Sequence, residues 1–298
     1  MPKSNPLHRL SHAILVAIIG VGVFASAATT VRAQDAKPDK SGYTLLNPTP
    51  ESALRDFSAD RPAKNYGATT IDAGKVQAEV ELFNYSKLDF EGVRTTTYTG
   101  PNPNVRIGLT NDLELQLSGT PFVRQNVRDS FAGTSTSASG SSDFFVRAKR
   151  NIWGNEGGRT ALAIMPYIKF GTAPASLGGN QTTEGGVIVP YSISLADNRT
   201  LLFNSEVDFL KNTNSDGFHQ QYINAVSLSG PIAKDVTLTG ELWSQINVDP
   251  ARTGHQYSFD TALAWVPKPN LQLDIGANFG LNRETPAIQL YTGITRRF

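Results

Sequence analysis

The chain has 298 residues, of which 39% are apolar and only 18% charged, with Gly, Ser, Thr and Asn making up the difference. Lys and Arg (27) nearly balance Asp and Glu (26), so no basic excess points to nucleic acid as a partner. There is no cysteine and there are only four histidines, which excludes disulfide scaffolds, thiol catalysis and cysteine-based metal sites. Polar, turn-forming composition of this kind favours strands over long helices.

The N-terminus reads as a targeting segment. Lys3 and Arg9 precede an apolar run from Ala13 to Ala28, and Val31-Arg32-Ala33 offers a small-residue cleavage site. The run is short for a membrane anchor, and cleavage after Ala33 is expected. Removal of residues 1–33 takes away Lys3, Arg9 and Arg32, leaving 24 basic and 26 acidic residues, a formal charge of −2. Residues 34–74 are polar and broken by Pro38, Pro48, Pro50 and Pro62, which predicts an irregular periplasmic arm.

From Lys75 the dominant period is two. Val76, Ala78, Val80 and Leu82 alternate with polar residues, as do Leu113, Leu115 and Leu117. The clearest case is Leu271, Leu273, Ile275, Ala277 and Phe279 against Gln272, Asp274, Gly276, Asn278 and Gly280. Twelve strands are expected, at 75–85, 96–109, 113–123, 143–152, 160–171, 186–195, 200–210, 220–229, 236–246, 256–266, 271–281 and 288–298. Most reach the ten or so residues that a tilted strand needs to cross a bilayer. Short connectors such as Thr110–Asp112 alternate with longer ones such as Arg124–Ser142 and Thr172–Gly185. The fold class predicted is therefore all-β: a transmembrane antiparallel barrel of residues 75–298 in the outer membrane of a Gram-negative cell, with lipid as its surroundings. A soluble exported sandwich would need neither strands of such even length nor loops sorted to one end.

A family resemblance appears in the motifs. Phe57-Ser58-Ala59-Asp60-Arg61-Pro62, followed by Gly74-Lys75-Val76-Gln77-Ala78-Glu79, resembles the opening of the MetA-pathway of phenol degradation family of outer-membrane proteins. Arg106 through Leu115 is similar to that family's Gly-Leu-Thr-Asp-x-Leu-Glu hairpin. Further matches are Asp143–Lys149, Leu228-Ser229-Gly230-Pro231 with Glu241, and Leu271–Gly280 with Gly293–Phe298. The resemblance implies a porin-like barrel and a transporter role, with hydrophobic or aromatic solutes as the candidates.

Side chains alternate across a strand, so the set between the apolar residues is expected to line the lumen. It comprises Glu79, Glu81, Arg106, Glu114, Asp143, Arg147, Lys149, Lys169, Glu206, Asp208, Glu241, Asp260, Asp274 and Arg297. These charges either pair into a network that stiffens the barrel or line a path for a polar solute. Tyr167, Tyr191, Trp243, Tyr257, Trp265 and Tyr291 are expected on the outer faces as interfacial aromatics. Phe298, ending an alternating strand, resembles the signal read by the barrel-assembly machinery, although Arg296 stands where an apolar residue is usual.

Catalysis is not expected. An outer-membrane phospholipase would need a serine activated by histidine, and His219 and His255, both placed in outer loops, have no serine motif in register. Gly178-Gly179 and Gly185-Gly186 precede no helix and form no phosphate cradle, and no calcium-loop pattern appears, so no cofactor or metal is assigned. The sequence supports a passive channel for small solutes; the competing reading is a structural or surface-interaction barrel.

Overall fold

In the computed structural model, residues 39–298 are described, and the expected signal segment lies outside them. The strands are β1 (Val76–Phe90), β2 (Val93–Thr99), β3 (Asn102–Gly108), β4 (Leu113–Ser118), β5 (Val123–Asp129), β6 (Thr134–Gly140), β7 (Phe144–Trp153) and β8 (Thr160–Phe170). They continue with β9 (Glu184–Ser194), β10 (Thr200–Lys211), β11 (Phe218–Ala233), β12 (Val236–Val248), β13 (Thr253–Lys268), β14 (Leu271–Gly280) and β15 (Ile288–Arg297). The sheet is antiparallel throughout and closes on itself where β15 pairs β1, with Val80 opposite Ile294. Three crossing strands are each broken in two (β2 with β3, β4 with β5, β6 with β7), so the fifteen segments form the expected twelve-stranded barrel. Closure matters because an open edge would leave backbone N–H and C=O groups unpaired in lipid. No helix among the described residues is long and apolar enough to cross a membrane.

The faces are inverted relative to a soluble protein. Among the described residues, 31 of the buried side chains are polar or charged and only 12 are hydrophobic, whereas Leu82, Ile152, Ile164, Leu242, Ile275 and Leu290 stand exposed on the outside. The Leu271–Gly280 strand follows the predicted alternation: Gln272, Asp274, Gly276 and Asn278 are buried, and Leu273, Ile275 and Phe279 are exposed. Outward-facing phenylalanines (Phe83, Phe122, Phe144, Phe170, Phe209 and Phe279) mark one interface, and Trp153 and Trp265 stand near the opposite end.

Several expectations are corrected. Arg124–Ser142 is not a loop but the hairpin β5–β6, and β1 and β2 run past the expected limits to meet at a two-residue turn. The Thr- and Ser-rich stretches Val93–Thr99 and Thr134–Gly140 carry little apolar alternation to read. The three strand breaks lie at one level and form a crease. Thr120 and Ser142 bridge it through the Ser142 N–H and Oγ (2.8 Å each), and the Gly100 N–H reaches the Phe122 carbonyl (3.1 Å). Gly100, at φ 146°, lies so close to the Leu82 carbonyl that any side chain would clash, and Leu82 itself is a bulge where β1 resets its alternation. His219 and His255 lie within β11 and β13 rather than in loops. Tyr167, Trp243 and Tyr291 point inward, toward Asp208, Lys64 and Arg61 respectively, because an amphipathic ring fits a polar lumen as readily as a lipid interface.

With no native cysteine, single cysteines report topology cleanly. A cysteine at Ser137 is expected to label in intact cells and one at Asn198 only after lysis; the reverse pattern would invert the barrel. Leu273→Arg on the lipid face should lower stability by about 2–4 kcal/mol in denaturant titrations, while Leu273→Tyr should be far milder.

Candidate functional site

The interior is organised by the N-terminal arm. Its backbone has no sheet partner over most of its length, and Pro50 and Pro62 prevent it from becoming one. The arm is anchored at the short turns, at the end of the barrel where β1 begins and β15 ends. The Lys40 and Arg55 side chains both reach Glu156 (2.8 and 2.6 Å), and Asp72, fully buried, accepts from Lys40 (3.3 Å) and from the Arg55 N–H (2.9 Å). Burial alone would raise the Glu156 carboxyl, but its bonds from Lys40 and Arg55 outweigh this and hold it below the ordinary glutamate value.

Between these anchors the arm does not stay outside. Residues 60–72 run through the half of the barrel nearer the short turns and bond to most of the strands around the ring. The Asp60 carboxylate accepts from Lys149 Nζ (2.9 and 3.1 Å), from Gln116 (3.1 Å) and from the Gly67 N–H (2.8 Å), with Arg106 at 3.4 Å. Arg106 in turn donates to Glu79 (2.8 Å) and to both oxygens of Glu114 (3.0 and 2.9 Å). The Glu79 carboxylate closes this node by accepting the backbone N–H groups of Asp60 and Arg61 (3.1 and 3.2 Å).

The next residue faces the other wall. Arg61 donates to Asp274 (2.6 and 3.3 Å) and Glu81 (3.4 Å), and its guanidinium occupies the space that a side chain at Gly293 would fill. Lys64 Nζ meets Ser258 (2.8 Å) and Asp260 (3.0 Å) and lies 4.1 Å from the centre of the Trp243 ring. The N–H groups of Lys64 and Asn65 donate to Glu241 (3.1 and 3.2 Å), and Tyr66 exchanges backbone bonds with the Asn204 side chain (2.7 and 3.0 Å). Farther on, Ala68 packs against Ala161 and Ala163, and the Ile71 N–H donates to Glu114 (2.7 Å). Pairing is what buried charge requires, since an unpaired ion here would cost several kcal/mol; Asp260 relies on the Lys64 charge alone, with no hydrogen bond to either oxygen.

A second tier lies on the outer side of this seat. Arg147 stacks among Tyr66, Phe145 and Tyr167, with its guanidinium 4.6–5.9 Å from the three ring centres. The Tyr167 hydroxyl donates to Asp208 (2.5 Å), which also accepts from Gln221 (2.9 Å), and Glu206 stands beside this group. Met165 and Ile188 form an apolar stretch of the same wall. Lys169 bridges Asp143 and Glu184 (2.6 Å each).

Thus Glu79, Arg106, Glu114, Lys149, Glu241, Asp260 and Asp274, all buried, are brought together by the arm. Glu81 meets it through Arg61, while Asp143, Arg147, Lys169, Glu206 and Asp208 belong to the second tier. Arg297 donates to the Arg55 carbonyl (2.9 Å) at the rim where β15 ends. The reading from sequence missed Glu184, whose strand begins two residues earlier than predicted, and missed Arg61 and Lys64 as interior cations because the arm carries no periodicity. No cluster of histidines and acids able to hold a metal occurs among the described residues. The Phe298 N–H donates to the Val76 carbonyl (2.8 Å) at the barrel seam, and its ring is exposed.

The node makes a thermodynamic prediction. Lys149→Met should cost about 3–5 kcal/mol by leaving Asp60 short of a counter-charge, and adding Asp60→Asn should cost less than the sum of the two single changes. Additive losses in denaturant titrations would mean that the pair is not coupled.

Residues 59–298 match the family described as "Putative MetA-pathway of phenol degradation". Among solved structures, the COG4313 outer membrane channel from Pseudomonas putida F1 is similar, with 14% identity over 75% of this chain and 95% of that one and a TM-score of 0.60. The NanC porin covers 98% of its own length against 74% of this chain, at 9% identity and a TM-score of 0.46. The loop-deleted OmpT of Vibrio cholerae covers 98% of its length against 75% of this chain, at 9% identity and a TM-score of 0.41. No curated protein matches.

Proposed function

The chain belongs to the MetA-pathway of phenol degradation family of outer-membrane barrels, and we propose that it is a passive channel for small solutes whose lumen is narrowed by its own arm. The observation that carries this reading is the two-tier interior. The arm seats in the periplasmic half, while Phe145, Arg147, Tyr167 and Glu206 in the outer half are only partly buried and present rings beside charges. Such a wall suits solutes with an apolar or aromatic body and a polar group, which attract both a guanidinium and a ring face. The family's description, with its reference to phenol degradation, agrees with that class.

Passage through such a wall needs no cofactor and no bond-making step. We read the protein as non-enzymatic: His219 meets Asn212 through Nδ1 (3.1 Å), and no serine bonds to it among the described residues. We also read Phe298 as the assembly signal: it shares the outward face of β15 with Leu290 and Ile294. The second reading, a structural or surface barrel, draws on the density of the arm network, which could serve only to fill the ring.

Planar bilayers separate the two. Purified protein should give small discrete conductance steps, and Arg61→Ser with Lys64→Ser should enlarge them severalfold by loosening the arm. Glu206→Gln with Asp208→Asn should shift the reversal potential toward anions. Silent bilayers together with no solute entry into liposomes would favour the structural barrel.

A further inference from the structure

Above the crease, the end of β1, β2, β5 and β6 form a sheet that extends the barrel wall, with β1 paired to β15 as far as Lys87. The register defines its two faces. Asn84 is buried and bonded to the interior Gln289 (3.1 Å), so its partner Thr99 and the residues in phase with it face the barrel side. Tyr85, Lys87, Asp89, Arg94, Tyr98, Arg124 and Arg128 fall in the opposite phase. That face is continuous with the lipid-facing surface: Phe83, exposed on the barrel exterior, lies 6.3 Å from Tyr98, which stacks on Tyr85 at 5.3 Å.

The charge on this outward face is one-sided. Lys87 and Arg94 share the single carboxylate of Asp89 (3.2 and 2.6 Å), while Arg124 and Arg128 form no ion pair among the described residues. Arg94 and Arg128 are direct cross-strand partners, an arrangement of like charges that is unfavourable without a shared anion. A cavity of about 270 Å³ opens beside them, lined also by Asp89, Gly92 and Ser130. The exposed Ser135, Ser137 and Ser139 of β6 extend the same face with hydroxyl donors.

Height identifies the anion. Phe122 marks the outer apolar boundary, and Arg124 and Arg128 follow two and six residues later on the same strand. At strand rise and barrel tilt, this spans from about 5 to 15 Å above that boundary, the depth of lipid headgroups. We propose that this face is a docking site for the phosphorylated sugar headgroup of the outer-leaflet glycolipid, lipid A, held by Arg94, Arg124 and Arg128 as charge-assisted phosphate ligands. Tyr85, Tyr98 and Phe83 pack beneath them against its acyl chains. Guanidinium groups bind phosphate oxygens in pairs, and each cation near a headgroup layer adds to the affinity.

The test is equilibrium binding of fluorescent bisphosphoryl lipid A to the purified, detergent-solubilised full chain. Arg94→Ser with Arg124→Ser and Arg128→Ser should weaken binding by about tenfold or more. Dephosphorylated lipid A should bind the unaltered protein as weakly, and Arg150→Ser, an exposed arginine at the opposite end, should change nothing. A heat-modifiable gel shift certifies assembly of each variant; should the triple variant not assemble, Arg128→Ser alone carries the test, with a smaller loss. Binding unchanged by these substitutions, equal binding of the dephosphorylated lipid, or displacement by millimolar inorganic phosphate would overturn the assignment.

Discussion

The structure depends on one constraint: a sheet in lipid must close, and closing it turns most of the charged side chains of the wall toward a confined interior. The wall's interior charges then have to find partners across the ring or on a segment threaded through it. Here the wall is not self-neutralising. Arg106, Lys149 and Arg147 lie on β3 and β7, whereas Glu241, Asp260 and Asp274 lie on β12 to β14. The first side also carries its own carboxylates, Glu79 on β1 and Glu114 on β4, whereas the second has no wall cation within ion-pair distance among the described residues.

Asp60-Arg61-Pro62 answers both sides at once. Adjacent residues on an extended chain project in opposite directions, so Asp60 reaches Lys149 and Arg106 while Arg61 reaches Asp274. Pro62 then denies the chain a ladder donor, which keeps it a bridge between walls rather than an added strand. Lys64 extends the neutralisation to Asp260, and the backbone N–H groups of Lys64 and Asn65 supply Glu241 without adding charge.

The part of this legible in the sequence is the part imposed by lipid. Leu271–Gly280 announces its faces because one must be apolar, and the twelve crossings follow from the same demand. Where lipid ends, so does the signal. Val93–Thr99 and Thr134–Gly140 pair as strands without an apolar alternation to announce them, and the Leu82 bulge shifts the phase without changing composition. Charged residues such as Glu114 and Lys149 betray their inward face by their place in the period, but Tyr167, Trp243 and Tyr291 do not, because a ring with a polar edge is at home on either side. The arm's path is invisible for a different reason: it carries no periodicity, its partners in the wall lie anywhere from 18 to 242 residues away in the chain, and only ring closure brings Asp274 within reach of Arg61.

The two walls do not depend on the arm equally. If the arm left its seat, Arg106 would keep Glu79 and Glu114, and Lys149 would keep Glu114 at 3.4 Å, so the basic wall carries its own counter-charges. Asp274 and Asp260 would lose Arg61 and Lys64, the only cations within ion-pair distance of them among the described residues, and Glu241 would lose two N–H donors. Bare carboxylates in a confined space draw in water and counterions to replace the missing partners. The seat of the arm therefore sets more than the width of the lumen. With Arg61 and Lys64 in place the acidic wall is neutralised, and with them withdrawn the same wall would become the most negative surface in the barrel, so that width and charge preference change together.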